Sequence, residues 1–308
     1  MLKYYLHENP GVVRNLARIM RYGRLEHASR LVILAVDHGM EHGPLISFAS
    51  NDQRNSSIYD PVYHAEFAYK MQLNAYAAPL GMLESFVASE KYLDMCDLPT
   101  ILKMNSGNLL NNSLREPDQA FTSSVSDALK LGCSAVGITI YPGAVGFNDS
   151  LYDVKEVIRE AKCHGLPVVI WAYPRSNDMK KVGETALDVI AYAGHIAAMI
   201  GGNIIKIKMP TSDIFMKKAQ EEYKKNPFPI STIADRVAYV KRSVFGGQRI
   251  ILFSGGELKD ESELYDEVRA IHSAQGDGSM IGRNAFKLPT EEEACSLIQN
   301  IQDIYTGK

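Results

Sequence analysis

Two lysines two residues apart, Lys206 and Lys208, interrupt an otherwise aliphatic run, NIIKIK (203–208). In a strand, side chains two apart share a face, so their Cβ atoms lie roughly 7 Å apart. At an effective dielectric of about 20, two positive charges at that distance repel by about 2.4 kcal/mol. Flexible stems lessen the repulsion and desolvation adds to the strain on the charged form. Either way a fraction of one amine is neutral and nucleophilic near pH 7, which is what attack on a ketone to form a Schiff base requires. The plainer alternative is that both lysines face helices and snorkel outward, or pair with Asp37 and a glutamate. For an isolated strand that alternative is the better one. It loses ground when an aspartate and a tyrosine converge from other strands.

Asp37 ends the run LVILAVD (31–37) and Tyr173 ends PVVIWAY (167–173), just before Pro174. An aspartate beside a cationic amine stays ionised and can orient it or move protons. Taken alone, Tyr173 reads better as a packed barrel-mouth aromatic. On the same parity, Lys103 and Asn105 end TILKMN (100–105), and Trp171 precedes Tyr173 by two residues. A competing chemistry is spelled by His38, Glu41 and His42, an H-x-x-E-H pattern that holds zinc when it lies on a helix. Here Gly39 follows the first histidine and Gly43-Pro44 closes the segment. The stretch therefore reads as a strand running into a turn, and the expectation is no metal.

The elements that position these residues alternate. Strand-like runs at 31–37, 73–80, 100–105, 134–141, 167–173, 203–208, 249–254 and 279–282 are separated by helix-patterned stretches such as 152–165, 184–201, 232–246 and 261–274. Eight strands apolar on both faces, with helices between them, are what a (β/α)₈ barrel requires. A doubly wound open sheet would carry a glycine fingerprint after its first strand, and none is present. The expected organisation is a helical extension over 1–30, with an amphipathic helix at 11–23, followed by one TIM barrel over 31–308. Insertions at about 45–60 and 209–231 follow strands one and six. They would lie on the carboxyl rim, where barrel enzymes keep their sites.

After strands seven and eight come FSGGEL (253–258) and IGRNAF (281–286). Barrels commonly bind phosphate there, through glycine-exposed backbone N–H groups, a helix start and a cation. Ser254, Gly255, Gly256, Gly282 and Arg283 supply those groups.

Across its 308 residues the chain is 46% hydrophobic and 22% charged, with a formal net charge of -3. That balance gives no field to attract nucleic acid or an anionic membrane, so any phosphate must be held locally. The four cysteines are scattered without a C-x-x-C pair, which fits a cytoplasmic protein with reduced thiols. No apolar run is long enough to cross a membrane.

In order, the phrases AVDHGMEHGP, ILKMN, AVGITIYPG, VVIWAYPR, IIKIK, SGG and GRNAF resemble the archaeal-type class I fructose-1,6-bisphosphate aldolases, a family also found in bacteria. The resemblance runs from about residue 11 to the C-terminus. It implies a barrel lyase of glycolysis and gluconeogenesis that cleaves its phosphorylated sugar substrate through a lysine Schiff base, without metal or other cofactor. By motif position Lys206 matches the Schiff-base lysine, Asp37 the aspartate that assists it, and Tyr173 the proton donor and acceptor. Ser254, Gly255, Gly256, Gly282 and Arg283 match the phosphate loops, with Arg175 as partner of a second phosphate. Lys208, Lys103, Asn105, Trp171 and His38 complete the expected substrate contacts. The resemblance also implies a large homo-oligomer, such as a decamer. Three departures from the family pattern are Pro210, Glu257 and Asn203, the last standing where an aspartate is frequent. The runner-up is a related Schiff-base barrel acting on another phosphorylated ketone, a thiolase or a transaldolase-like synthase. A phosphate-binding barrel without catalysis ranks below both, because buried lysines are costly without a task.

Overall fold

The computed structural model describes residues 1–49, 57–108, 110, 118–176, 178–179, 181–254 and 260–308. Eight parallel strands close on themselves: β1 Leu31–Ala35, β2 Ala75–Pro79, β3 Thr100–Lys103, β4 Ala135–Ile140, β5 Val168–Ala172, β6 Ile204–Lys208, β7 Ile250–Ser254 and β8 Gly278–Ile281. Each strand pairs with its sequence neighbours, and β8 returns to β1 with Leu31 opposite Gly278. Closure excludes the doubly wound alternative, and all eight expected strands are present to within two residues. The periodicity was strong because both faces of every strand are buried.

Alternate residues build two cores. Ile33, Ala75, Ile101, Ala135, Val169, Ile204 and Leu252 fill the barrel. Val32, Leu34, Ile138, Ile170, Ile205 and Ile251 face the surrounding helices. Each fully buried Val, Leu or Ile side chain among them contributes about 1.5–3 kcal/mol.

The segment before β1 packs against the barrel's amino end. Its helix Pro10–Arg21 starts with Pro at the first position, capped by Asn9, whose side chain accepts from the Gly11 N–H at 2.8 Å. Val12, Leu16 and Ile19 are fully buried and join the interior cluster. The Tyr5 hydroxyl donates to the Asn203 carbonyl at 2.7 Å and accepts from the Ile250 N–H at 2.9 Å, which ties the extension to β6 and β7. Asn74 does the same at β1 and β2, accepting from the Val32 N–H and donating to the Ile19 and Tyr22 carbonyls.

Two local expectations change. Residues His38–His42 form one turn of helix, with Gly43 at φ 78° separating it from the helix Pro44–Phe48. The aliphatic strand stops two residues earlier than its pattern suggested, which leaves room for the turn. Asn105 does not continue β3; with Ser106 it pairs antiparallel to Ala120–Phe121. Among the described residues no helix is long and apolar enough to cross a membrane.

Candidate active site

A cavity of about 700 Å³ opens at the carboxyl ends of the strands. From β1 it receives Asp37 and His38, from β5 Tyr173 and Arg175, and from β6 Lys206 and Lys208. From β7 it receives Ser254 and from β8 Gly282 and Arg283. Strand parity explains the convergence: Leu31, Ile33 and Ala35 point inward, so Asp37 does also, and Ile204 is followed in phase by Lys206 and Lys208.

Lys206 is 5% exposed at the cavity floor. Its Nζ lies 5.5 Å from the Trp171 ring centroid and 5.7 Å from that of Tyr173, so the amine sits beside two aromatic rings, of which Tyr173 lines the cavity. Trp171 stands opposite Lys206 across the β5–β6 pair. Its ring fits because β4 carries Gly137, where a Cβ would come within 2.6 Å of Trp171 Cζ3.

Beside Lys206 lies a second amine, although Lys103, Asn105 and Trp171 do not themselves line the cavity. Lys103 is 3% exposed, with its Nζ 5.7 Å from the Trp171 centroid. It donates to the Asn105 carbonyl and, at 3.1 Å, to Asn105 Oδ1. Asn105 is fixed in turn by donating to the Thr139 carbonyl and accepting from the Thr139 N–H, at 2.8 and 2.7 Å. Both oxygens held to Lys103 are neutral, so its positive charge is not cancelled by a bonded carboxylate. Burial pushes the Lys103 ammonium down to about 8, with Asp37 and Glu41 opposing.

Burial alone would raise the Asp37 carboxyl, but His38, Lys206 and Lys103 outweigh it and hold the group below the usual carboxylate range. His38 itself is pushed down to about 4 by burial, against the pull of Asp37. It is therefore neutral at pH 7, and the two lysines supply the charge that keeps Asp37 ionised. His38 Nδ1 lies 3.6 Å from Asp37 Oδ1. Its ring is covered by the exit of β8: a Cβ at position 282 would come within 2.6 Å of His38 Cε1, so only glycine allows this approach.

Lys208 differs from Lys206. It donates to Glu184 Oε2 at 3.1 Å, and Arg175 Nη1 donates to the same oxygen at 2.5 Å. Glu184 therefore offsets one positive charge, and the repulsion expected between Lys206 and Lys208 is weakened. The buried cation beside Lys206 whose bonds are to neutral groups is Lys103. Reasoning from sequence missed Glu184 because ETALDVIAYAG reads as continuous helix. The helix instead begins at Leu187, whose N–H is taken by the Asp213 carbonyl at 2.8 Å, and Glu184 is left facing the cavity.

At the exits of β7 and β8, Ser254 donates to the Ile207 carbonyl at 3.3 Å, and Gly282 caps a one-turn helix, Arg283–Phe286. Gly255, Gly256 and Glu257 lie outside the described residues. Pro210 uses its carbonyl to accept from Arg236 Nε at 2.9 Å, and Asn203 belongs to the amino end. The helical turn at 38–42 brings the His38 and His42 ring centroids to 6.4 Å, while Glu41 lies 3.9 Å from its neighbour His42. Among the described residues no three His, Cys, Asp or Glu side chains are grouped to hold a metal ion.

A closed parallel barrel with a buried amine on its sixth strand, an ionised carboxylate on its first and a phenol on its fifth defines a class of (β/α)₈ enzymes built for carbonyl chemistry. The model of the DeoC/LacD family aldolases matches residues 31–288, and the chain belongs to that family. Within it the chain is an aldehyde-lyase of the class I fructose-bisphosphate aldolase type. It is 34% identical to the class 1 fructose-bisphosphate aldolase of Thermoproteus tenax, with 83% of each chain covered. It is 30% identical to a probable enzyme of the same type from Chlamydia muridarum, over 96% of this chain and 85% of that one. The fold superposes with a TM-score of 0.74 and 28% identity on an archaeal fructose-1,6-bisphosphate aldolase whose catalytic lysine is covalently bound to the carbinolamine intermediate; 94% of this chain and 99% of that one are covered.

Proposed function

We propose that this chain cleaves fructose 1,6-bisphosphate reversibly to dihydroxyacetone phosphate and glyceraldehyde 3-phosphate, with Lys206 as the Schiff-base residue and without a metal. The observation that carries the reading is Lys206 itself, an amine buried at the floor of a polar cavity with Asp37 and Tyr173 lining the same space. Burying an ammonium beside a second lysine is costly and serves no packing purpose.

Lys206 Nζ, in its neutral form, adds to the C2 carbonyl. The resulting carbinolamine loses water, with Asp37 assisting the proton transfers at nitrogen. The protonated iminium then draws in the electron pair of the C3–C4 bond as Tyr173 takes the C4 hydroxyl proton, releasing the aldehyde and leaving an enamine. Tyr173 returns the proton to C3, and water releases the ketone and regenerates the amine. Ser254 and the Gly282–Arg283 turn anchor the C1 phosphate, and Arg175 and Lys208 face the far end. Binding the two ends aligns C2 with Lys206 and converts affinity into orientation.

Borohydride reduction in the presence of dihydroxyacetone phosphate, followed by peptide mapping, tests the assignment. The expected product is a single stable adduct on the peptide containing Lys206, with turnover insensitive to EDTA. An adduct on Lys103 instead would reassign the nucleophile. Absence of any adduct, with activity lost to chelators, would refute the scheme.

A further inference from the structure

We propose that Glu184 sets how strongly the enzyme discriminates between ketose phosphates with and without a second phosphate on the far carbon. The inference rests on the aldolase reading above.

Three observations carry it. First, Lys208 lies two residues beyond Lys206 on the same face of β6, about 6.6 Å further out at ~3.3 Å per residue. That rise is comparable with the carbon tail beyond the carbonyl of a six-carbon ketose bound at Lys206. Second, Lys208 and Arg175 both donate to a single oxygen, Glu184 Oε2, within the cavity wall. Third, these ion pairs are largely shielded, with side-chain exposures of 21% for Lys208, 23% for Arg175 and 17% for Glu184. Solvent therefore screens them less than it would a surface pair.

The trio carries one net positive charge rather than two. An incoming phosphate dianion must share its cations with a carboxylate, or displace that carboxylate from both. Either route offsets much of what two free cations would contribute. A substrate ending in a free hydroxyl meets no such conflict and finds the cations already neutralised. Glu184 is thus a specificity residue: it weakens binding of the far phosphate and narrows the gap between a bisphosphate and a monophosphate. It acts on binding of the tail rather than on the bonds that break.

The position of Glu184 makes it adjustable. It ends the short turn Lys181–Glu184, and the following chain is tied to the loop after β6 by the Thr211 N–H donating to the Thr185 carbonyl at 2.8 Å. The carboxylate and its two cations are therefore carried by the exits of β5 and β6, the same strands that hold Tyr173 and Lys206.

The test compares kcat/KM for fructose 1,6-bisphosphate with that for fructose 1-phosphate, as a ratio, in the wild type, Glu184→Gln and Lys208→Met. Glu184→Gln is expected to raise the ratio by about tenfold, mainly through a lower KM for the bisphosphate. Lys208→Met, which removes a cation and leaves the carboxylate, is expected to lower it by about the same factor. Circular dichroism melts establish that each variant is folded, and if Glu184→Gln is not, the Lys208→Met ratio decides. A ratio within twofold of wild type in a folded variant overturns the inference. If the wild type forms the Lys206 adduct yet neither ratio moves, only this inference fails. If it cleaves neither ester, the aldolase reading fails with it.

Discussion

The two ends of the barrel spend buried polar groups in opposite ways. At the amino end several of them are matched by hydrogen bonds or ion pairs. The Tyr5 hydroxyl joins β6 to β7, Asn74 ties the N-terminal helix to β1, and Asp277 holds Lys241 at 3.0 Å while accepting from the Ile251 N–H. Asn203 accepts from the Val168 N–H at 2.9 Å and donates at 2.8 Å to Glu8, which also holds Lys162. At the carboxyl end charge is crowded instead. Two buried lysines, one carboxylate and a neutral imidazole share a small volume, and Glu184 serves two cations. The amino end closes the molecule, while the carboxyl end holds strain in its titrating groups, which is the condition for proton transfer and nucleophilic attack.

That contrast can be broken at either end. The largest effect is expected from Lys206→Met, which should reduce turnover by at least about 10⁴-fold. Because it removes a buried ammonium, its melting temperature should equal or exceed that of the wild type, as differential scanning calorimetry would reveal. Tyr173→Phe should lower kcat by about 10²–10⁴-fold, the usual worth of a positioned acid or base, while borohydride still traps substrate on Lys206. Loss of trapping in that variant would move Tyr173 from proton transfer to substrate binding.

At the other end, Asn203→Ala should cost about 2–3 kcal/mol in urea denaturation, because it leaves the Val168 N–H and one bond of Glu8 unmade, with kcat within about twofold of wild type. A large fall in kcat without loss of stability would end the division between the two ends.

The smallest effect is pH-dependent and sharpens the comparison. His38 is held near 4 in the folded chain against about 6.5 when unfolded, so the unfolded state binds the extra proton between those values. Stability should therefore fall as pH drops from about 6.5 to about 4, by no more than about 3 kcal/mol. His38→Asn should flatten that window in denaturant titrations run at several pH values. Asp37 acts lower: its depressed carboxyl contributes stability above the ordinary carboxylate range, and that contribution is lost only as pH falls through its folded value.

Much of this was written locally. Each strand is apolar on both faces because it is buried on both, so the period-two and continuous runs identified all eight. The inward parity of Asp37, Trp171, Tyr173, Lys206 and Lys208 followed from counting in twos along those strands. The helical turn at His38–His42 escaped because five residues are too few to show a period. Glu184 escaped because its neighbours have strong helical pattern and its partners are distant in sequence, Arg175 by 9 residues and Lys208 by 24.

By itself, then, the sequence determined the barrel, the order of its strands and which side chains face its interior, because these depend on periodicity and turn chemistry that each segment carries alone. Only the tertiary structure decided which charges are cancelled. Lys103 and Lys208 look alike as letters on strand ends, yet one is held by neutral amide oxygens and the other by a shared carboxylate. Electrostatic balance is summed over neighbours from every strand, and no single segment contains it.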